Sequence, residues 1–258
     1  MTTGVYIDGL NLYYGALRNS DYKWLDLEKL AHLLVPQDQI GIIRYFTARV
    51  NARPNDLQLP VRQDAYLRAL STCSLVSIHK GRFVSAVKSK ALADRKIGHQ
   101  DLFAPHFRPQ AIYKLMWGDQ VRRRTDGTTK AKVLIDEEKG SDVNLGVHLV
   151  NDAARGLLTK ALVISNDSDL TEAITLSRNF GILVGIVNPH RTPTSRHLRK
   201  AANFEIRLRH ETLSRCQLLP TVFDSRGREI HKPHDWAQTQ RPVLSDGPRA
   251  HLPKQVGG

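Results

Sequence analysis

The 258-residue chain is 41% hydrophobic and carries 38 Lys and Arg against 25 Asp and Glu, a formal net charge of +13. That length suits one α/β domain with appendages, and its apolar runs are too short to span a membrane. Met1 to Asp8 offers neither the basic nor the long apolar region of a signal peptide. Cys73 and Cys216, the only cysteines, lack zinc-site spacing and read as reduced thiols, so the expectation is a cytoplasmic chain with no membrane partner.

In chain order, Val5-Tyr6-Ile7 predicts a first strand that opens at residue 4 and ends on Asp8. Gly9-Leu10-Asn11 follows, then a helical pattern through Leu12, Tyr13 and Leu17. A second helix is expected over Asp26 to Leu34, with Asp26 as its cap and Pro36 past its end. Gly41 to Val50 reads as a strand, 51–60 as a loop, Val61 to Leu70 as an amphipathic helix and Leu75 to His79 as a strand. Residues 84–130 are the least regular stretch before the tail. Lys88, Lys90, Arg95, Lys96, Arg108, Lys114 and Arg122-Arg123-Arg124 alternate there with Phe103, Phe107, Tyr113 and Trp117. Basic side chains interleaved with aromatics suit single-stranded nucleic acid, whose bases stack and whose phosphates pair; a basic surface whose aromatics pack inward is the plainer alternative.

Lys132 to Ile135 is the next expected strand, running into Asp136-Glu-Glu-Lys-Gly-Ser-Asp142 and a long helix to about Leu158 that carries Val143, Val147, Leu149 and Val150. Glu137 and Glu138 read as solvated. Leu162 to Ile164 is a short apolar run of the kind that forms a buried parallel strand. It stops at Ser165-Asn166, where Asp167 and Asp169 follow and a helix begins at Leu170. Gly181 to Asn188 is a further strand, Ser195 to Ala202 a helix, Phe204 to Leu208 an edge strand and Glu211 to Gln217 a last turn or helix. From residue 219 the chain is rich in Pro, Gly and charge and reads as a largely unpacked basic tail, lying along the body around Trp236. The domain division is thus 1–218 and 219–258.

Alternating strands and helices with buried-type strands predict a mainly parallel sheet covered on both faces. Asp8, Asp142, Asp167 and Asp169 then all fall just past strand ends at helix starts, where ligands of open α/β sheets bind. Each acid alone is more simply a helix cap. Four in equivalent places, with Asn11 beside the first, favour a divalent-cation site, and carboxylates select hard ions such as Mg²⁺ or Mn²⁺. The charge pattern agrees: residues 1–80 are net +2, 81–130 net +7, 131–190 net −3 and 191–258 net +7, so the one acidic block lies between basic ones.

Val5-Tyr-Ile-Asp-Gly-Leu-Asn11, Glu138-Lys-Gly-Ser-Asp-Val-Asn-Leu145 and Ile164-Ser-Asn-Asp-Ser-Asp-Leu170 resemble the three blocks of the NYN domain family, a branch of the PIN-like nucleases, and the chain is most similar to its bacterial LabA-like group. Tyr45 to Arg49, Arg62-Gln63 with Tyr66-Leu67, and Val184 to Pro189 are similar as well, so the likeness spans roughly residues 3–215. The resemblance implies a PIN-like three-layer α/β/α domain with an irregular basic insertion over 84–130. It also implies a Mg²⁺- or Mn²⁺-dependent ribonuclease that leaves 5′-phosphate and 3′-hydroxyl ends. On that basis Asp8 and Asp167 are expected as direct metal ligands. Asp142 and Asp169 would hold metal-bound waters or a second ion, and Asn11 would orient Asp8 or a water. Arg49, Lys80, Arg82, Lys139, Arg122, Arg123 and Arg124 are the expected contacts to single-stranded RNA. A homodimer is compatible with this group. The competing expectation is a non-catalytic RNA-binding or regulatory module on the same fold.

Overall fold

The computed structural model describes residues 2–52, 56–91, 121–123 and 129–236. Its elements are β1 (Thr2–Asp8), α1 (Gly9–Leu12) running into a π-turn (Tyr13–Leu17), α2 (Leu27–Leu34), β2 (Gln39–Ala48), α3 (Leu59–Leu70) and β3 (Val76–Ala91), then β4 (Val121–Arg123), β5 (Thr129–Lys139), α4 (Ser141–Ala154) and β6 (Lys160–Ile164). A 3₁₀ turn (Ser168–Leu170) leads into α5 (Thr171–Asn179), followed by β7 (Leu183–Asn188), α6 (Arg196–Ala201), β8 (Phe204–Arg207), α7 (His210–Arg215) and a hairpin of β9 (Thr221–Phe223) and β10 (Glu229–His231).

Eight strands form one sheet in the order β4-β5-β3-β2-β1-β6-β7-β8. From β3 to β8 neighbouring strands are parallel. The chain therefore winds outward from β1 through β2 to β3 on one side and from β6 through β7 to β8 on the other. The reversal lies between β1 and β6, the topological switch point at which open α/β sheets form a crevice. Alternation along β1 explains the layers: Val5 and Ile7 point into a core shared with α2 and α3, while Tyr6 points into a second core shared with α4 and α5. The fold is α/β with a mainly parallel central sheet and helices on both faces.

Two expectations are corrected, for the stretch 84–130 and for the tail, and the mainly parallel sheet carries an antiparallel edge. β5 is antiparallel to β3, and β4 to β5. The stretch 84–130 is not irregular throughout, since β3 continues to Ala91 and pairs with β5, which begins at Thr129. Residues 92–120 and 124–128, with Phe103, Phe107, Tyr113, Trp117 and Arg124, lie outside the described residues. The tail is packed as far as Trp236: Ile230 is buried, Trp236 packs on the α2–α3 core, and Trp24 Nε1 donates to Leu219 O at 2.8 Å. Residues 237–258 lie outside the described residues. Finally, α4 buries Leu145, Leu149 and Ala153 and leaves Val143 and Val147 exposed. Among the described residues no helix is long and apolar enough to cross a membrane.

Candidate functional site: an acid-lined crevice beside an aromatic cavity

Parallel pairing sets Ile7 of β1 level with Ile164 of β6, so both strands deliver their next residues, Asp8 and Ser165, to the same edge. Asp8 caps α1: its Oδ1 accepts from Asn11 N at 2.9 Å, and its Oδ2 accepts from Ser165 Oγ at 2.9 Å. The Ser165 hydroxyl in turn accepts from Asp167 N at 3.1 Å, and Asp167 caps the 3₁₀ turn by accepting from Asp169 N at 3.0 Å. These short polar side chains do what turn chemistry asks of them, and in doing so they hold three acids at one crevice.

Asp142 arrives by a different route. β3 leaves the parallel core after Gly81, and β5 returns alongside it to end opposite Arg82 at Lys139. Gly140 then turns the chain with φ of 98° and is itself the N-cap of α4, so the expected capping role of Asp142 is corrected: it sits inside the first helical turn. Burial raises the Asp142 carboxyl to about 7, with the charges of Asp8, Asp167, Glu138 and Asp169 adding to the effect. Asp8 is raised too, by burial first, against the hydrogen bonds from Asn11 and Ser165. The acids are therefore near enough to repel one another, as expected of groups gathered at one edge.

Sequence reasoning missed two members of this edge. Glu138 is not simply solvated: it accepts from Ser141 N at 3.0 Å and lies over Gly81, where a Cβ would strike its Oε1. His190, after β7, places Nε2 3.0 Å from Asn11 Oδ1, the same oxygen that accepts from Asn166 N at 3.0 Å. The Asn11 side chain thus ties the ends of β6 and β7 together and does not orient Asp8, which it reaches only through its backbone N–H. The approach of Glu138 to Gly81 and of His190 to Asn11 joins residues distant in sequence, so no local signal announced either.

The expected phosphate contacts among the described residues fall on β3, β4 and β5 and just past β2. Arg49 is exposed and pairs with Asp64 at 3.8 Å, whereas Lys139 pairs with Glu137 at 3.1 Å. Lys80 and Arg82 are exposed on β3, with Arg82 opposite Lys139. Arg122 and Arg123 belong to β4 through backbone pairing with Lys130 and Thr129, and Arg124 lies outside the described residues.

The acids whose charges reach Asp142, namely Asp8, Asp167, Glu138 and Asp169, offer with it the hard oxygen donors that suit Mg²⁺ or Mn²⁺. Their charge fits such an ion, but among the described residues no three His, Cys, Asp or Glu side chains are arranged to hold one. Asp8 and Asp167 are engaged as turn formers.

Next to Asp8 opens a cavity of about 200 Å³ between α1, its π-turn, β2 and α3. Tyr13, Tyr45, Tyr66 and Trp236 are among its walls, with Tyr66 edge-on to Tyr45 at 6.4 Å and to Trp236 at 6.0 Å. Gly9 belongs to both crevice and cavity. A Cβ there would lie 2.5 Å from the Tyr45 ring and 2.7 Å from Phe46 O, so only glycine allows β2 this close. The charge of Asp8 also reaches the Tyr45 phenol, which burial first of all raises.

These features describe an α/β protein whose acid-lined crevice, at the carboxyl edge of a mainly parallel sheet, adjoins an aromatic cavity. No family model matches the chain. Over 266 aligned residues, 92% of this chain and 75% of the relative, it is 31% identical to the 6-hydroxy-3-succinoylpyridine 3-monooxygenase HspA of Pseudomonas putida. The chain belongs to the family of that enzyme. A structure of a protein of unknown function from Vibrio parahaemolyticus is similar at a TM-score of 0.43 and 11% identity, covering 81% of this chain and 94% of that one; a likeness this distant carries no argument.

The ribonuclease expectation is thereby corrected, together with the hydrolase and RNA-binding reading attached to it: the relative is a monooxygenase. The physical reason is that strand-end acids mark a scaffold, and one scaffold hosts unrelated reactions. The acid blocks speak to the first and not to the second.

Proposed function

We propose that this chain is an oxidoreductase that inserts one oxygen atom from O₂ at a ring carbon of a small hydroxylated aromatic compound. Family membership carries this reading: the relative, alike over 92% of the chain, is named as a monooxygenase of a hydroxylated pyridine. The aromatic cavity supports it, because a planar ring is what tyrosine and tryptophan walls receive well. Position 3 of that relative's substrate carries the succinoyl group, so in the balanced reaction one oxygen atom enters the bond between the ring carbon and the acyl carbon, the second leaves as water, and an external donor such as a reduced nicotinamide supplies two electrons. Asp8 precedes Gly9 of the cavity wall, and Asp142 lines the crevice with Asp169, where carboxylates can accept or return a substrate proton.

We also propose a NYN or PIN-like identity for the scaffold, supported by the β3-β2-β1-β6-β7-β8 parallel order and by acids at the ends of β1 and β6. Mg²⁺ or Mn²⁺ at the acids belongs to the same proposal. Such an ion would offset their mutual repulsion, and no reaction step is routed through it.

The test is incubation of the purified chain with 6-hydroxy-3-succinoylpyridine, NADH and ¹⁸O₂, following NADH loss, oxygen uptake and product mass. One ¹⁸O atom per product is expected. Oxygen uptake no faster than in the protein-free control, with substrate returned intact, would sink the reading.

A further inference from the structure

Every wall residue of the aromatic cavity but one lies between Gly9 and Tyr66; the exception, Trp236, comes from the C-terminal segment. The walls from the first part of the chain are locked together. Gly9 sits so close to the Tyr45 ring and Phe46 O that no Cβ fits, which fixes α1 on β2, and Gly15 is pressed in the same way on His190 behind the π-turn. Gln63 on α3 donates to Ala48 O at 2.8 Å and accepts from Val50 N at 2.9 Å, while the Tyr66 hydroxyl donates to Leu25 O at 2.9 Å. The C-terminal segment is also fixed in its first part: Trp24 Nε1 holds Leu219 O, Lys232 N donates to Pro220 O at 2.8 Å, and Ile230 is buried. Beyond β10 the ties thin out. The 3₁₀ turn His234–Trp236 has one hydrogen bond to the body among the described residues: Asp235 Oδ2 accepts from Arg62 Nη1 at 3.1 Å. The other arm of that guanidinium, Nη2, donates to Asp56 on the cavity wall. Asp235 is 65% exposed and Asp56 33%, so water competes first for the Asp235 arm. The Trp236 ring itself lies edge-on to Tyr66 at 6.0 Å and to Trp24 at 6.3 Å.

We infer that the His234–Trp236 turn is a gate on this cavity, hinged after β10 and held shut by Asp235 on Arg62, with the Trp236 ring as the part that swings. A ligand buried over most of its surface needs a wall that moves to let it in and out. The Trp236 turn is the wall held most lightly: it can swing without breaking a buried hydrogen bond or parting Gly9 from β2. Arg62 is the fixed post, since Asp56 keeps its other nitrogen in place when Asp235 lets go. An exposed ion pair shifts an equilibrium by about two- to fivefold, so this latch sets how often the cavity opens and not whether the chain folds. The inference adds control of access to the proposed function, and it rests on that reading only for the ligand used as a probe.

The first measurement needs no ligand. The full chain is labelled with 5-fluorotryptophan, and the Trp236 resonance is assigned by its loss in Trp236→Phe. Fluorine relaxation dispersion should show microsecond-to-millisecond exchange at Trp236, the timescale of lid motions. Asp235→Asn should raise the open population about two- to fivefold. Glu229→Gln, which removes the exposed pair with His231 on β10 just before the hinge, should leave it unchanged. Stopped-flow mixing with 6-hydroxy-3-succinoylpyridine, without NADH, then reads passage through the gate. Asp235→Asn should raise the association and dissociation rates by the same factor and leave their ratio within about twofold, because a gate acts on entry and exit alike, whereas a lost contact acts on dissociation. Circular dichroism confirms that each variant is folded. A Trp236 resonance without exchange in both wild type and Asp235→Asn, or Asp235→Asn and Glu229→Gln that behave alike, overturns the gate. If the exchange appears as expected but the pyridine neither binds nor is oxidised, the oxygenase reading fails and the gate stands. If the pyridine is oxidised while Trp236 stays rigid in both proteins, the gate fails and that reading stands.

Discussion

Asp152 on α4 is 1% exposed and accepts from Tyr6 OH at 2.7 Å, from Arg44 Nε at 2.7 Å and from Arg44 Nη2 at 3.0 Å. Burial pushes its carboxyl up, yet the Arg44 and Tyr6 hydrogen bonds outweigh that and hold it below the ordinary range. Removing one partner of such a pair leaves the other charge uncompensated. Asp152→Asn should therefore cost about 3–5 kcal/mol of unfolding free energy in urea titration; a loss below about 1 kcal/mol would mean that Arg44 finds water instead. Gly9 makes a second case. Gly9→Ala must displace the Tyr45 ring or β2, and overpacking of this kind costs about 1–3 kcal/mol. Its near-ultraviolet circular dichroism should change along with its denaturation midpoint, because the displaced group is a tyrosine in a packed wall. At this scale the sequence was legible where a residue acts on its own neighbours. Asp8 and Asp26 could be read as caps from the residues that follow them. Asp152, Glu138 and His190 could not, because their partners Arg44, Gly81 and Asn11 are brought to them only by the sheet.

Elements were readable where the physics that makes them is local. Asp26 caps α2 by accepting from Glu28 N and Lys29 N, both at 3.0 Å, as an Asp before an apolar helical pattern predicts. Asp26→Ala should lower stability by about 1 kcal/mol, and the thermal midpoint by roughly 2–4 °C for a chain of this size. A midpoint within half a degree of wild type would mean that tertiary packing alone holds the first turn. The parallel core strands were equally plain, because burial on both faces demands the apolar β-branched runs seen at 162–164 and 183–187. The ribbon of β3 and β5 was not. Past Gly81 and before Lys139 its residues mix polar, charged and apolar types, and pairing between segments this far apart leaves no local signal to find. The β9–β10 hairpin escaped for a similar reason: among the described residues it offers the core only the buried Ile230 and the partly buried Val222.

For the molecule as a whole, fold class and the meeting place of the acids followed from strand order and residue type, while the reaction did not, because it depends on what fills the crevice and the cavity. The gathered acids nevertheless have a consequence that any chemistry must accommodate. Asp142 titrates at about 7 in the fold against 3.8 for a free side chain. Between those values the folded protein holds a proton that the unfolded chain has released, so this group makes stability fall as pH rises from about 4 to 7 and level off above. A divalent cation reverses the sense, since it binds the deprotonated acids and must displace that proton at lower pH. The thermal midpoint of the wild type, measured from pH 5 to pH 8 with EDTA and then with Mn²⁺, should be raised by Mn²⁺ more at pH 8 than at pH 5. Asp142→Asn carries no proton to lose, so its midpoint with EDTA should fall less over the same range and its gain from Mn²⁺ should shrink. The comparison with the variant removes the contribution of every other titrating group. A variant that keeps the wild-type slope and the wild-type gain would show that the acids at the end of β1, the end of β6 and the start of α4 do not share one charge site.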